Sequence, residues 1–337
     1  MNRTALITGI SGQDGSYLAE LLLENGYDVH GIVRRTAFED ASHRLINLSH
    51  LKDRIHLHIV SLDTPLAIVK TIKDLQPDEC YHLAASSFVN YSFEDEISTF
   101  NTNVNTTHYL LAVLKEFAPT CRFYFAGTSE MFGDVTTSPQ DENTLFNPRS
   151  IYGVSKLAGY HLVRNFRSKY GMFACTGILF NHESPRRGYE FVTRKIISSA
   201  VRIKFGQQEF LSLGNLDARR DWGYAPDYVK AMWLMLQSDT PDDYVVASNQ
   251  THSVQEFLGM VFSQLGLNYE AYVKIDPILF RSSEDVHLCG NPEKAIKKLG
   301  WKQTVTFEEM VREMVYAELQ VQRDHASNYG NLPENIR

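Results

Sequence analysis

This chain predicts an α/β fold: a doubly wound parallel sheet with a smaller, discontinuous α/β domain for substrate. Three observations carry that expectation. Short apolar β-rich runs alternate with amphipathic ones from the first residues onward. A glycine-rich turn joins the first such pair. After Phe180 the alternation gives way to a polar, basic stretch. Strands that are apolar throughout are buried on both faces, and this requires helices on both sides of a parallel sheet.

Strands are predicted at 4–8, 28–33, 55–60, 79–83, 122–126 and 174–179, each five or six residues long. Helices are predicted between them at 16–24, 65–75, 97–117 and 152–170. In the first helix Leu18, Leu21, Leu22 and Leu23 form an apolar stripe at helical spacing. Residues 181–188, polar and broken by Pro185 and Gly188, read as a loop. Helices at 191–205 and 227–237 follow, then a last strand at 244–247 and helices at 253–265 and 307–319. The reading gives a nucleotide-binding domain over 1–180, completed by about 222–249, and a substrate domain built from 181–221 and 250–330.

The 337 residues suit about two domains. With 43% hydrophobic and 22% charged residues, a core of ordinary proportions is available. A net charge of −7 argues against general binding to nucleic acid or anionic membranes. No apolar run approaches the length of a membrane span, and residues 1–12 lack the basic and apolar regions of a secretory signal. Cys80, Cys121, Cys175 and Cys289 lie far apart with no CxxC spacing, and three of them, in apolar runs, read as small buried hydrophobes in a reducing compartment. A cytoplasmic protein is expected.

The first strand runs directly into Gly9-Ile-Ser-Gly12-Gln13-Asp14-Gly15, and a helix follows. Glycines there permit a tight turn and a close backbone approach to a pyrophosphate, which the positive end of the helix favours. In this strand–turn–helix context the motif marks a Rossmann-type dinucleotide site. The end of the second strand discriminates between cofactors. An acid there would meet a ribose 2′-hydroxyl, but this chain has Arg34-Arg35. Two guanidiniums suit a 2′-phosphate, so the cofactor is expected to be NADP; a solvated basic loop is the plainer alternative.

Tyr152-Gly-Val-Ser-Lys156 opens a predicted helix, and residues four apart share a face. A free phenol, with a pKa of about 10, is a poor base at neutral pH. The nearby ammonium and an oxidised nicotinamide are expected to lower it, allowing Tyr152 to take a proton from a hydroxyl. Upstream, Thr128 and Glu130 stand where the fifth strand ends, and strand C-termini line the ligand crevice in such sheets.

These motifs, together with Gly177-Ile-Leu-Phe-Asn181-His-Glu183-Ser-Pro-Arg-Arg187-Gly188, Phe191-Val-Thr-Arg-Lys195 and Leu213-Gly-Asn-Leu-Asp-Ala-Arg-Arg220-Asp-Trp-Gly223, carry a resemblance. The chain resembles the extended short-chain dehydrogenase/reductases, and within them the GDP-mannose 4,6-dehydratases, over almost its whole length. The resemblance implies that Tyr152 is the base at the C4 hydroxyl and that Thr128 hydrogen-bonds the C4 oxygen. Lys156 would bind the nicotinamide ribose, and Glu130 would remove the C5 proton and help the C6 hydroxyl leave as water. It implies Gly9, Gly12, Gln13, Asp14, Gly15, Arg34, Arg35, Tyr152 and Lys156 as cofactor contacts. For the GDP-linked sugar it implies Ser87, Asn181, Glu183, Arg187, Lys195, Arg220 and Arg281. Similar enzymes form homodimers or homotetramers in which Arg34 and Arg35 can reach a neighbouring subunit's cofactor.

The chain departs from the family pattern at Ser61, Ser86, 101–107, Tyr224 and Ser282. Ser86 and 101–107 are expected near the sugar or nicotinamide. Another GDP-sugar such as a GDP-heptose therefore stays open, as does a nucleotide-sugar 4-epimerase or 4-reductase on the same scaffold. Glu130 discriminates, because only the dehydratase needs an acid–base at C5 and C6. In Ile55-His-Leu-His58 the two imidazoles face one side of a strand with no third ligand nearby in sequence, and no metal site is expected.

Overall fold

The computed structural model describes residues 2–87, 94–280 and 288–329. Its centre is a seven-stranded sheet, all parallel: β1 (Thr4–Thr8), β2 (Asp28–Val33), β3 (His56–Ile59), β4 (Glu79–His82), β5 (Arg122–Thr128), β6 (Ala174–Leu179) and β11 (Asp243–Val246). The spatial order is β11-β6-β5-β4-β1-β2-β3. The chain winds outward from β1 in one direction, then returns to β4 and winds in the other, so a crevice opens between β1 and β4 at the strands' carboxyl ends. Every residue of β4, β6 and β11 is buried, the signature of strands covered on both faces.

The helices α1 (Gln13–Glu24), α2 (Arg35–Glu39), α3 (Ala41–Arg44), α4 (Pro65–Leu75), α5 (Glu96–Phe117) and α6 (Ile151–Tyr170) link these strands. α1 begins three residues earlier than expected. Gly12 is its N-cap, and Gln13, Asp14 and Gly15 already form its first turn. Beyond β6, the residues expected to be a loop contain a short strand, β7 (Asn181–Glu183). It pairs in parallel with β10 (Trp222–Tyr224), a partner no local pattern announces. Between them lie α7 (Val192–Lys204), β8 (Leu211–Leu213) and β9 (Arg219–Arg220).

After β10 come α8 (Ala225–Gln237), packed on α1, and, past β11, β12 (His252–Ser253), α9 (Val254–Gln264), β13 (Val273–Ile275), α10 (Glu293–Leu299) and α11 (Phe307–Tyr329). α9 starts with a full capping box between Ser253 and Glu256, which satisfies two otherwise orphaned N–H groups. A separate apolar cluster forms where α7, α9 and α11 meet, with Trp222, Phe257 and Phe307 at its centre. Among the described residues no helix is long and apolar enough to cross a membrane.

Asp227, in the first turn of α8, fastens this layer to the segment before α11. Its carboxylate accepts from the Thr304 amide at 2.8 Å and from the Thr304 hydroxyl, while its carbonyl accepts from the Trp301 indole at 2.7 Å. Replacing Asp227 with Ala removes the acceptor of the Thr304 amide and hydroxyl and leaves the bond from the Trp301 indole to the backbone carbonyl. The expected cost is about 2 kcal/mol of stability, read from the midpoint of urea unfolding.

Candidate active site

The turn after β1 is set by the absence of side chains. Gly9 has φ +76°, and a Cβ on Gly15 would sit 2.3 Å from the Gly9 carbonyl oxygen. No side chain caps the first turn of α1, so its N–H groups are directed at the crevice, where they suit an anion. A dinucleotide's pyrophosphate fits this cradle. Gln13 and Asp14 use their side chains differently. The Asp14 carboxylate is 2.9 Å from His182 Nε2, while Gln13 donates to the His182 carbonyl at 3.1 Å and accepts from the Ser184 hydroxyl at 2.8 Å. His182 Nδ1 lies 2.7 Å from the Phe180 carbonyl, and its ring stacks on Tyr228.

Because both ring nitrogens of His182 face acceptors, both must carry protons. Burial disfavours that charge, but Asp14 outweighs it and raises the imidazole's pKa. Burial also works to raise the Asp14 carboxyl, yet His182's charge and hydrogen bond hold it below the usual range. This buried ion pair locks the first turn of α1 to the segment that follows β6. Arg186 extends the lock, donating to the Ser16 hydroxyl at 3.0 Å with its guanidinium over the Tyr17 ring.

β5 ends at Thr128, whose hydroxyl accepts from the Glu130 amide at 3.2 Å and so starts a 3-10 turn over Ser129–Met131. Opposite stands α6, capped by Ser150, with Tyr152 and Lys156 in its first turns, both buried. Gly153 makes the approach possible: a Cβ there would lie 2.6 Å from the Glu130 carbonyl oxygen. The Tyr152 phenol feels both the Thr128 hydroxyl and the Glu130 charge.

The electrostatics correct one expectation. The phenol is raised rather than lowered, and burial is the largest cause. Lys156 Nζ donates to the Ala126 carbonyl at 2.9 Å, and burial brings its own pKa down to about 8. Burial pushes Tyr152 up to about 12; the Thr128 hydroxyl pulls it down, Glu130 raises it and Arg187 opposes Glu130. In this site desolvation exceeds every nearby charge effect.

Of the residues the sequence pointed to, Gly9, Gly12, Gln13, Asp14, Gly15, Ser87, Thr128, Glu130, Tyr152, Lys156, Asn181 and Arg187 line one cleft. Arg34 and Arg35 are exposed at the end of β2 and do not line it; Arg35 forms a solvated ion pair with Glu39. Glu183, expected at the substrate, is buried instead. It accepts from the Thr193 hydroxyl at 2.6 Å and pairs with Arg187 at 3.1 Å, so it aims Arg187 rather than touching the cleft. Lys195 donates to the Ser212 carbonyl and Arg220 to the Arg219 carbonyl, both away from the catalytic cleft. Arg281 lies outside the described residues.

The 101–107 segment does not face the cleft either. Asn103 accepts from the Ser86 amide at 2.9 Å and donates to the Ser155 hydroxyl at 2.9 Å, which in turn donates to the Tyr152 carbonyl. Thr107 continues this buried chain to His82 and Thr8. These side chains brace α6 from behind. Asn47, His182 and Arg186 also line the cleft. Arg186 belongs to the basic cluster of the chain's second half, whereas nothing local marks Asn47 or the role of His182, whose partner is 168 positions away.

The family model and the curated relatives agree on one group. The family model described as "GDP-mannose 4,6 dehydratase" matches residues 6–314. "GDP-mannose 4,6 dehydratase 2" of Arabidopsis thaliana is 48% identical over 327 residues, covering 95% of this chain and 87% of its own. "GDP-mannose 4,6 dehydratase" of Homo sapiens is 46% identical over 343 residues, covering 95% and 92%. Among solved structures, dTDP-glucose 4,6-dehydratase from Bacillus anthracis in complex with NAD superimposes with a TM-score of 0.82 at 20% identity, covering 95% of this chain and 98% of that one. At that identity the likeness speaks for the fold.

Gly153→Ala is expected to lower kcat at least about tenfold, because the Cβ must push the Glu130 turn away from Tyr152; steady-state kinetics beside a thermal melt separate this from unfolding. Lys156→Met tests the buried ammonium. With a folded pKa near 8 against an ordinary 10.5, the unfolded chain binds more protons between those values. The charge therefore costs stability below about pH 8, and that cost fades as pH rises toward 10.5. Lys156→Met is expected to be inactive yet about 1–3 kcal/mol more stable at pH 7, with the gain shrinking at pH 10, as followed by denaturant unfolding.

Proposed function

The chain belongs to the GDP-mannose 4,6-dehydratase family, and from that premise we propose which residues carry its reaction and which cofactor it holds. The enzyme is a hydro-lyase of the NAD(P)-binding short-chain type that removes water from GDP-mannose. The product is GDP-4-keto-6-deoxy-D-mannose.

NADP is the cofactor in this reading. The uncapped first turn of α1 and the glycine cradle take the pyrophosphate, and Arg34 and Arg35, at the end of β2 where an acid would serve NAD, take the 2′-phosphate. When bound, the nicotinamide would supply a two-electron acceptor for C4 and a positive charge favouring the Tyr152 phenolate while oxidised, and the hydride for C6 once reduced.

Tyr152 takes the proton of the C4 hydroxyl, with the Thr128 hydroxyl holding the same oxygen and Lys156 placed for the ribose. Once C4 is a ketone, the C5 proton is acidic, and Glu130 removes it while the C6 oxygen departs. The protons lost from the C4 hydroxyl and from C5 balance the one that completes water and the one returned to C5. Arg187, aimed by Glu183, and Asn181 steady the sugar side of the cleft, and Lys195, Arg220 and Arg281 serve the nucleoside diphosphate. One observation supports this reading above the others: Glu130 and Tyr152 line the same cleft, and the carboxylate's charge bears on the phenol. A 4-epimerase or 4-reductase has no use for that carboxylate.

Purified protein given GDP-mannose and no added cofactor is expected to yield a product lighter by one water, with one solvent deuterium at C5 when the reaction runs in D2O. Glu130→Gln is expected to lose at least about 10²-fold in rate. Denaturation should release NADP rather than NAD; release of NAD overturns the cofactor assignment alone. Unaltered GDP-mannose, even with NADP supplied, overturns the proposed chemistry.

A further inference from the structure

Four ligand-type side chains at the amino ends of β2 and β3 have no part in this chemistry. Period-two alternation sets Asp28 and His30 on one face of β2, and His56 and His58 on one face of β3. The parallel register places His30 opposite His56 and Ile32 opposite His58, so all four share a face of the sheet edge. The Asp28 carboxylate lies between two imidazoles, with Oδ2 3.2 Å from His30 Nε2 and Oδ1 3.3 Å from His56 Nε2. One donor atom from each of these three residues lies within 4.8 Å of the other two. The remaining nitrogen of His30, Nδ1, is 2.9 Å from His58 Nε2.

We propose that Asp28, His30 and His56 bind a divalent transition-metal ion of the zinc type, with His58 as the outer partner that orients His30. In a tetrahedral site with metal–nitrogen bonds of about 2.0–2.1 Å, neighbouring donors stand about 3.3 Å apart; here each imidazole Nε2 lies at about that distance from one oxygen of the carboxylate, and the three residues' donors lie within 4.8 Å of one another. Two imidazoles and one carboxylate select zinc, nickel or copper over magnesium or calcium, which prefer all-oxygen ligation. With Nε2 on the metal, His30 Nδ1 carries the ring proton and donates to His58 Nε2. This second hydrogen bond is the usual device for fixing a ligating ring. His30 is largely shielded, while Asp28 and His56 face solvent and leave the fourth position to water.

Along β2, Asp28 stands about 20 Å and His30 about 13 Å from Arg34, so the ion ties the edge strand β3 to β2 and takes no part in the reaction. His56 and His58 have no third ligand nearby in sequence. The neighbouring strand supplies two.

The test is isothermal titration of the full-length chain without an affinity tag, stripped of metal by chelation, with zinc sulfate. Wild type is expected to bind one ion per chain. His56→Gln and Asp28→Ala are expected to weaken binding at least about tenfold, and His43→Gln, an exposed histidine on α3, to leave it unchanged. Zinc should raise the melting temperature of wild type and not that of His56→Gln. Both altered side chains are exposed, and equal melting temperatures without metal verify that the variants fold. Absence of a binding event in wild type overturns the proposal, as does binding that is equally strong in His56→Gln and Asp28→Ala or that is weakened by His43→Gln.

Discussion

All seven strands of the central sheet run the same way, and that constraint gathers the chemistry. Parallel strands deliver their carboxyl ends to one edge. The glycine turn after β1, the Thr128–Glu130 turn after β5 and the segment after β6 therefore open onto the same crevice. The reversal of winding between β1 and β4 keeps it open, since no connection crosses there. Register refines the placement: Thr128 pairs with Leu179, so the turn bearing Glu130 and the strand leading to Asn181 leave the sheet side by side.

Two kinds of contact then hold the crevice to ångström precision. One is close backbone packing where a side chain is missing, as at Gly15 against Gly9 and Gly153 against Glu130. The other is the buried polar lock between α1 and the segment after β6, in which Asp14 and Gln13 meet His182 and Ser184. An isolated buried ion would be costly, but here both imidazole nitrogens and the carboxylate are matched. The consequence is mechanical. The first turn of α1 and the segment after β6, which both line the cleft, are held as one body.

Of the two side chains proposed for proton transfer and ribose binding, Tyr152 and Lys156, the buried ammonium is held at a cost in stability near neutral pH. Burial lifts the phenol and depresses the ammonium, so the folded chain holds both away from their ordinary ionisation. The chain of hydrogen bonds from Thr8 through His82, Thr107, Asn103 and Ser155 to the Tyr152 backbone braces the helix that carries them. Such bracing is what a strained, partly desolvated site needs from its surroundings.

The sheet, its order of helices and the gathering of Thr128, Glu130, Tyr152 and Lys156 at one cleft were legible in the sequence because each rests on local pattern. Apolar runs make buried strands, and three glycines mark the turn. Spacing of two brings Thr128 to Glu130, and spacing of four brings Tyr152 to Lys156. What only the tertiary structure decided depends on partners far apart in the chain. The lock of His182 on Asp14 is one case, and the burial of Glu183 behind Arg187 is another. The same holds for 101–107, which brace the catalytic helix instead of lining the cleft, and for the meeting of His30 and Asp28 with His56. The dominance of burial over charge at Tyr152 belongs here too. Spacing along a strand or helix is set by backbone geometry and can be read from the order of residues, whereas which strands become neighbours, and how much water their packing removes, exists only once the chain has folded.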